Sequence, residues 1–199
     1  MGDGSVNVAT WRVLPEDWQR CCGYDAFDAK AVKDAVKRDF ADWDERLVRF
    51  TQVAEDKVTP RDLYMLPIGH EWTHLKGVTL IGDAAHLMTP FAGEGVNLAM
   101  ADALKLAAAI TSAASSSTPE TALDEKVAAF EQDIFGYASQ TQQLTYDMMS
   151  AMYFTPGAPR TGIERYLLRA IEDEVGWWMT KFVATPLIYG YFFLFKLVW

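Results

Sequence analysis

The residues whose types and spacing best suit ligand chemistry lie between Gly77 and Ile110, in GVTLIGDAAHLMTPFAGEGVNLAMADALKLAAAI. Val78 to Ile81 is an apolar, β-rich run that predicts a short strand covered on both faces. Gly82 lets the backbone turn tightly, and Asp83 then stands at the carboxyl end of the strand, where open α/β sheets place their ligands. Its carboxylate could accept hydrogen bonds from ligand hydroxyls, or it could simply cap the next turn. Pro90 stiffens the following loop, and Gly93 and Gly95 remove side chains where a flat ligand would lie against the backbone. A helix that starts near Gly95 or Val96 leaves its first amides unpaired, forming a positive end suited to an anion or an electron-rich carbonyl.

Two histidine patterns carry competing chemistry. His86 has the side chain that titrates near neutrality and could act as a general base. No acid or nucleophile is paired with it in sequence, so a hydrogen bond to the loop backbone is the favoured reading. His70-Glu71-Trp72-Thr73-His74 matches the HExxH pattern of zinc hydrolases, with Glu94 downstream as a third ligand. Zinc binding requires that segment to be helical, yet Pro67 and Gly69 before it and Gly77 after it leave roughly two turns. The zinc hydrolase is therefore the outsider.

The longer pattern of Gly82, Asp83, Ala84, Ala85, His86, Pro90, Gly93, Gly95, Asn97 and Asp102 resembles the C-terminal flavin motif of the FAD-dependent aromatic hydroxylases, the group of p-hydroxybenzoate hydroxylase and the tetracycline-inactivating monooxygenase. The resemblance implies that Asp83 holds the ribityl chain of FAD. It implies also that Pro90 and the amides of Gly93, Glu94, Gly95, Val96 and Asn97 line the isoalloxazine ring, with Gly82, Ala84 and His86 completing the turn. A helix N-terminus would stabilise negative charge on a reduced ring. Glu94 would repel that charge unless its side chain points to solvent, which is the expectation here. By this resemblance the activity is NAD(P)H- and dioxygen-dependent hydroxylation of an aromatic or polyketide-like small molecule. The alternative is a non-catalytic remnant or one subunit of a split flavoenzyme.

The implied fold class is α/β, as an α+β fragment: a partial FAD/NAD(P)-binding fold of the p-hydroxybenzoate hydroxylase type, with remnant substrate-domain strands and long C-terminal helices. The domains expected are 1–76, a partial substrate domain; 77–155, the C-terminal part of the FAD-binding domain; and 156–199, a C-terminal helix and apolar tail. The resembled family opens with a GxGxxG unit that receives the FAD pyrophosphate, and this chain has none. A missing N-terminal half is therefore expected to supply it.

The elements that must position these residues are read from periodicity. Ser5 to Leu14 and Leu63 to Leu66 read as strands. Asp28 caps a helix carrying Val32, Val36 and Phe40, and a second helix places Trp43, Leu47 and Phe50 at core spacing. The helix from Val96 to Ile110 is apolar nearly all round and should be buried, so Asp102 within it needs either loop backbone or water as a partner. Thr118-Pro119 opens a long helix whose stripe of Leu123, Val127, Phe130, Ile134, Tyr137, Thr141, Leu144 and Met148 fits either a coiled coil or a helix along a domain seam. Thr161 and Glu164 form a capping box for a last polar helix.

Composition bounds the rest. The chain has 199 residues, half of them apolar, enough for a sizeable core. Its net charge of −9 argues against nucleic acid and mildly against anionic membranes. Cys21 and Cys22 are too few for a disulfide framework, and no signal peptide opens the chain, so a cytoplasmic setting is expected. The final eighteen residues, FVATPLIYGYFFLFKLVW, carry one charge, and Trp177, Trp178 and Trp199 flank them like interfacial anchors. Membrane contact through 177–199 and docking on an absent domain are the two readings of that tail.

Overall fold

The structure is a computed structural model that describes Gly4 and residues 6–198, the side chain of Asp173 excepted. The chain separates into two compact units, Met1–Asp62 and Leu63–Trp199. Among the described residues both are built from helices and extended segments, and no strand is present; the one β-bridge, between Leu75 and Val78, is isolated. This corrects the α/β expectation with its remnant strands. A strand needs a ladder partner along its length. Residues 78–81 form no ladder beyond that bridge, with Val78, Leu80 and Ile81 exposed, and residues 63–66 make a single backbone bond, Leu66 N to Leu87 O at 3.0 Å. Residues 6–14 are likewise neither helix nor strand, while Ser5 lies outside the described residues.

The first unit contains α1 (Trp18–Cys21), α2 (Ala29–Asp39) and α3 (Glu45–Val53). Asp28 caps α2 as its sequence implies, accepting from the amides of Lys30 and Ala31. Polar ties hold the unit: Trp18 Nε1 and Gln19 Nε2 donate to Asp62 at 2.6 and 3.1 Å, and Lys33 reaches the carbonyl of Ala54 and the carboxylate of Asp56. Its apolar core is thin. Trp43, Leu47 and Phe50, expected inside, are each about half exposed.

The second unit carries α4 (Asp83–His86), a 3₁₀ turn (Pro90–Ala92), α5 (Gly95–Ala114) and the long α6 (Pro119–Met149), then α7 (Ile163–Val175), α8 (Trp177–Met179) and α9 (Thr185–Val198). Single π turns at Ser150–Phe154 and Thr180–Ala184 follow α6 and join α8 to α9. Helices α5 and α6 pack along each other around Phe130, Ile134 and Ala138, with Leu98, Leu106 and Tyr137 against them. Trp72 meets Phe135 edge to face at 4.6 Å. Contrary to the expectation of full burial, α5 buries only Asp102 and Ala113, and Val96, Met100 and Leu104 are exposed. Among the described residues α6 is the long helix that packs along α5, and the opposite face of α5 carries the exposed Val96, Met100 and Leu104.

The capping box does not form. Gly162 takes the N-cap of α7, Thr161 donates instead to the carbonyl of Pro156, and Glu164 turns inward to Lys196 at 2.5 Å. Burial alone would raise the Glu164 carboxyl, but the hydrogen bond from Lys196, its own backbone and the lysine charge outweigh it and hold the group low.

Candidate functional site

The site is built on a backbone turn. Gly82 adopts φ +61° and ψ −142°, a conformation open to glycine alone, and a Cβ there would stand 3.4 Å from Cβ of Ala99. The turn therefore presses against the first turns of α5. Its carbonyl accepts the amides of Ala85 and His86 at 2.9 and 3.0 Å, which winds residues 83–86 into the single helical turn α4.

Asp102 holds this turn in place. Fully buried on α5, its Oδ2 accepts from the amide of Gly82 at 2.8 Å and from His86 Nε2 at 2.7 Å, and its Oδ1 accepts from the Tyr137 hydroxyl at 2.5 Å. A carboxylate that enters the interior needs such a set of donors. Loop backbone is thus one of the partners of Asp102, as anticipated. His86, 2% exposed, is used differently from its favoured reading: it donates to Asp102 and not to the loop backbone, and its Nδ1 has no partner. Burial pushes the Tyr137 hydroxyl well above its ordinary range, and the Asp102 carboxylate adds to that shift, so Tyr137 is a fixed donor. The Lys105 ammonium lies over its ring at 4.1 Å.

Helix α6 also fastens the loop that follows. Thr145 donates to the carbonyl of Thr89 at 2.6 Å and accepts from the amide of Ala92 at 3.3 Å, and Gln142 Oε1 accepts from the amide of Gly69 at 3.3 Å. Further along α6, Glu131 meets His74 Nδ1 at 2.7 Å, and Asp124 meets His74 Nε2 at 3.3 Å. The hydrogen bond to Glu131 is the chief reason the His74 imidazole is raised above its ordinary value, with Asp124 adding to it against partial desolvation.

The ten residues singled out from sequence fall into three neighbouring pieces of chain. Gly82, Asp83, Ala84 and His86 form the turn, Pro90 and Gly93 bound the 3₁₀ loop, and Glu94, Gly95, Val96 and Asn97 make the start of α5. Gly82 and His86 lie beneath, while Asp83, Ala84, Pro90, Gly93, Glu94, Val96 and Asn97 are exposed. Gly93 is left-handed at φ +74°, with open space where a Cβ would be. Glu94 at the N-cap makes no capping bond, so the leading amides of α5 carry no side-chain plug; its carboxylate is exposed and accepts from Asn97 Nδ2 at 3.2 Å. The result is an outward-facing carboxylate, a bare helix tip and a clear stretch of backbone, a set able to receive hydroxyls and an electron-rich ring.

The HExxH segment is not helical, and among the described residues no cluster of three or more metal-ligating side chains forms. His74 is committed to Glu131 and Asp124, which removes the geometry that zinc would need.

Sequence reasoning missed Glu131, Gln142 and Thr145, all buried on α6. The available signal was a second heptad stripe offset by one residue, 131–135–138–142–145, hidden because three of its five members, Glu131, Gln142 and Thr145, are polar.

Residues 68–132 match the family described as FAD binding domain. The chain is similar to monooxygenase asqM of Emericella nidulans, 40% identical over 124 residues that cover 54% of this chain and 28% of that protein. It is similar also to monooxygenase penA of Penicillium thymicola, 35% identical over 134 residues, 62% of this chain and 31% of that protein. Kynurenine 3-monooxygenase of Xanthomonas campestris pv. campestris is 35% identical over 113 residues, 55% of this chain and 22% of that protein. The matched stretches thus span less than a third of these relatives, and the family match brackets the turn, the loop and all of α5. The family match supports FAD as the cofactor, and the three relatives are named as monooxygenases.

Proposed function

We propose that this chain forms the flavin-facing C-terminal portion of an FAD-dependent monooxygenase acting on an aromatic or polyketide-like small molecule, with NAD(P)H and dioxygen as co-substrates, as in the tetracycline-inactivating type. In this reading 1–76 belongs to the substrate side, 77–155 to the flavin side and 156–199 to the closing helices. One observation carries it: an exposed Asp83, on a turn locked from below by Asp102, beside an uncapped helix start and the open backbone at Gly93. These residues fit FAD. Asp83 would take the ribityl hydroxyls, and Pro90, Gly93 and the amides from Glu94 to Asn97 would face the ring, with Gly82, Ala84 and His86 supporting them. When bound, the flavin supplies the activation of dioxygen, and the protein supplies orientation and exclusion of water.

A second polypeptide segment bearing the GxGxxG unit belongs to this reading. The exposed apolar run of Val96, Met100 and Leu104 on α5, with Val78, Leu80 and Ile81 beside Gly82, gives it a surface to cover. A non-catalytic subunit of a split flavoenzyme would present the same face. The visible spectrum of the purified chain with and without FAD, and with the GxGxxG partner added, tests the reading. A flavin spectrum retained through gel filtration supports it, and Asp83→Ala should abolish that retention without unfolding the protein. Full retention by the variant refutes the role of Asp83.

In a cytoplasmic setting the tail is the remaining contact surface. Gly95–Ala114 and Trp177–Val198 are both long and apolar enough to cross a bilayer, and the window in the second is 0% buried. We read the second as a helix that lies on a membrane surface rather than through it, because its far end is tied to charged α7 by Lys196 and Glu164.

A further inference from the structure

The second unit holds a cavity of about 490 Å³ that shares no residue with the turn at 82–97. It lies between the end of α6, one face of α7 and the first turns of the tail helix. Three cations line it, Arg165, Arg169 and Lys181, against two carboxylates, Asp147 and Glu172. Both carboxylates are already engaged: Arg169 reaches Asp147 at 3.3 Å and Glu172 at 3.5 Å, and Gln143 donates to Asp147 at 2.7 Å. Arg165 has no hydrogen bond or ion pair among the described residues. Lys181 has none either, its ammonium resting over the Trp177 ring at 4.6 Å. In a chain of net charge −9 this concavity has the opposite sign, with two uncommitted cations and the free Ser150 hydroxyl on its wall.

The position of the cavity narrows what would fill it. The tail helix exposes Leu187, Tyr191, Leu194 and Val198 at spacings of four, three and four, at 67, 63, 64 and 76%. Its other side runs along α7, where Lys196 meets Glu164 and Arg160 donates to the carbonyl of Lys196. Placed with that stripe in the acyl region, the helix keeps its ion pair toward water, and Trp177 and Trp178, both more than half exposed, reach the headgroup level. Trp177, Thr180 and Lys181 line the cavity from that same end.

We propose that this cavity is a phospholipid headgroup site, in which Arg165 and Lys181 bind the phosphate of an anionic lipid, with the Ser150 hydroxyl as an added donor, while the stripe on α9 takes its acyl chains. Guanidinium and ammonium suit phosphate as fork and point charge respectively. The inference rests on the reading of the tail as a membrane-surface helix, and is independent of flavin binding.

Flotation of the purified chain with phosphatidylcholine vesicles, and with the same vesicles containing phosphatidic acid, tests it. Binding should be tighter to the second. The double variant Arg165→Ala/Lys181→Ala should weaken that binding about thirty-fold, at roughly 1 kcal/mol for each basic group near the surface. Circular dichroism should be unchanged, because both side chains are exposed. Lys30→Ala/Lys37→Ala, which removes the same charge from α2, should leave binding intact; an equal loss would overturn the site in favour of diffuse attraction. Equal binding to both vesicles overturns the headgroup site and keeps the tail reading, whereas no binding to either overturns both. Displacement by inorganic phosphate at matched concentration would mark a free-phosphate site and overturn the lipid assignment. In every case the flavin titration reports separately on the oxygenase reading.

Discussion

Replacing Asp102 should produce two very different outcomes depending on the substituent. In Asp102→Ala three donors lose their acceptor at once: the buried Gly82 amide and His86 Nε2, and the half-buried Tyr137 hydroxyl. Removing one partner of a buried, hydrogen-bonded charge set costs about 3–5 kcal/mol, which for a chain of this size lowers Tm by roughly 10 °C or more. Asp102→Asn behaves otherwise. Its carbonyl oxygen can stand at the Oδ2 position and still accept from Gly82 and His86, while its amide faces the Tyr137 hydroxyl, which can rotate and accept. What is lost is charge assistance, about 1–2 kcal/mol. Tyr137→Phe removes only the Oδ1 bond, at about 1 kcal/mol in a half-buried setting. Urea unfolding of the purified chain, read at constant slope, gives the three values. Hydrogen exchange then tests location: in Tyr137→Phe, protection should fall at Gly82 to His86 and hold at the centre of α6. An Asp102→Ala variant as stable as a surface substitution, or an Asn variant as damaged as the Ala variant, would refute this account of the turn.

Other outcomes are equally specific. Gly82→Ala should cost about 1–3 kcal/mol in urea unfolding, since its backbone lies in a glycine-only region, whereas Asp83→Ala, on an exposed residue, should be nearly neutral for stability while losing flavin. The folded-state value of His74 is raised, so its bond to Glu131 is complete below the ordinary histidine value of 6.5 and is lost as pH rises through the folded value. Amide exchange in residues 70–78 should therefore speed up from slightly acid to alkaline pH beyond its intrinsic rise, and His74→Gln should flatten that excess. Glu164 runs the other way. Its folded value is lowered, so the tie between α7 and the tail persists above the ordinary carboxyl value of 4.5 and fails as pH falls; Trp177 and Trp178 fluorescence should change in acid, and should not do so in Glu164→Gln.

The comparison of sequence and structure turns on what each pattern can encode. The long helix from Pro119, the cap at Asp28 and the unplugged start of α5 were legible because they depend on residues within a turn of one another. The strands were not recoverable that way. An apolar β-rich run such as Val78 to Ile81 states a preference for extended backbone, and the ladder that turns preference into a strand must come from another segment, which the described residues do not offer. The same holds for α5, whose all-round apolar surface states a demand for partners on every face, while α6 meets it on one.

The buried polar residues mark a second limit, and they account for how the site is held. Binary patterning assigns the core stripe of α6 to Leu123, Val127, Phe130, Ile134, Tyr137, Thr141, Leu144 and Met148; Phe130, Ile134 and Met148 are buried, while between 137 and 145 the buried positions shift by one so that Gln142 and Thr145 face inward. Periodicity could not prefer this register, because its benefit appears only when the facing element is a loop whose amides at Gly69 and Ala92 and carbonyl at Thr89 look to α6 for partners. An apolar α6 would leave those groups unsatisfied, at about 1–3 kcal/mol each. Loop and helix therefore specify one another: the loop can keep its outer surface free of side chains at Gly93 and Gly95 because its inner surface is bonded to α6. Thr145→Val, which keeps the helix propensity and removes the hydroxyl, should leave α6 intact while loosening residues 89–92, visible as faster amide exchange at Ala92 with α6 unchanged. Slower exchange there would mean that packing, not hydrogen bonding, fixes the loop.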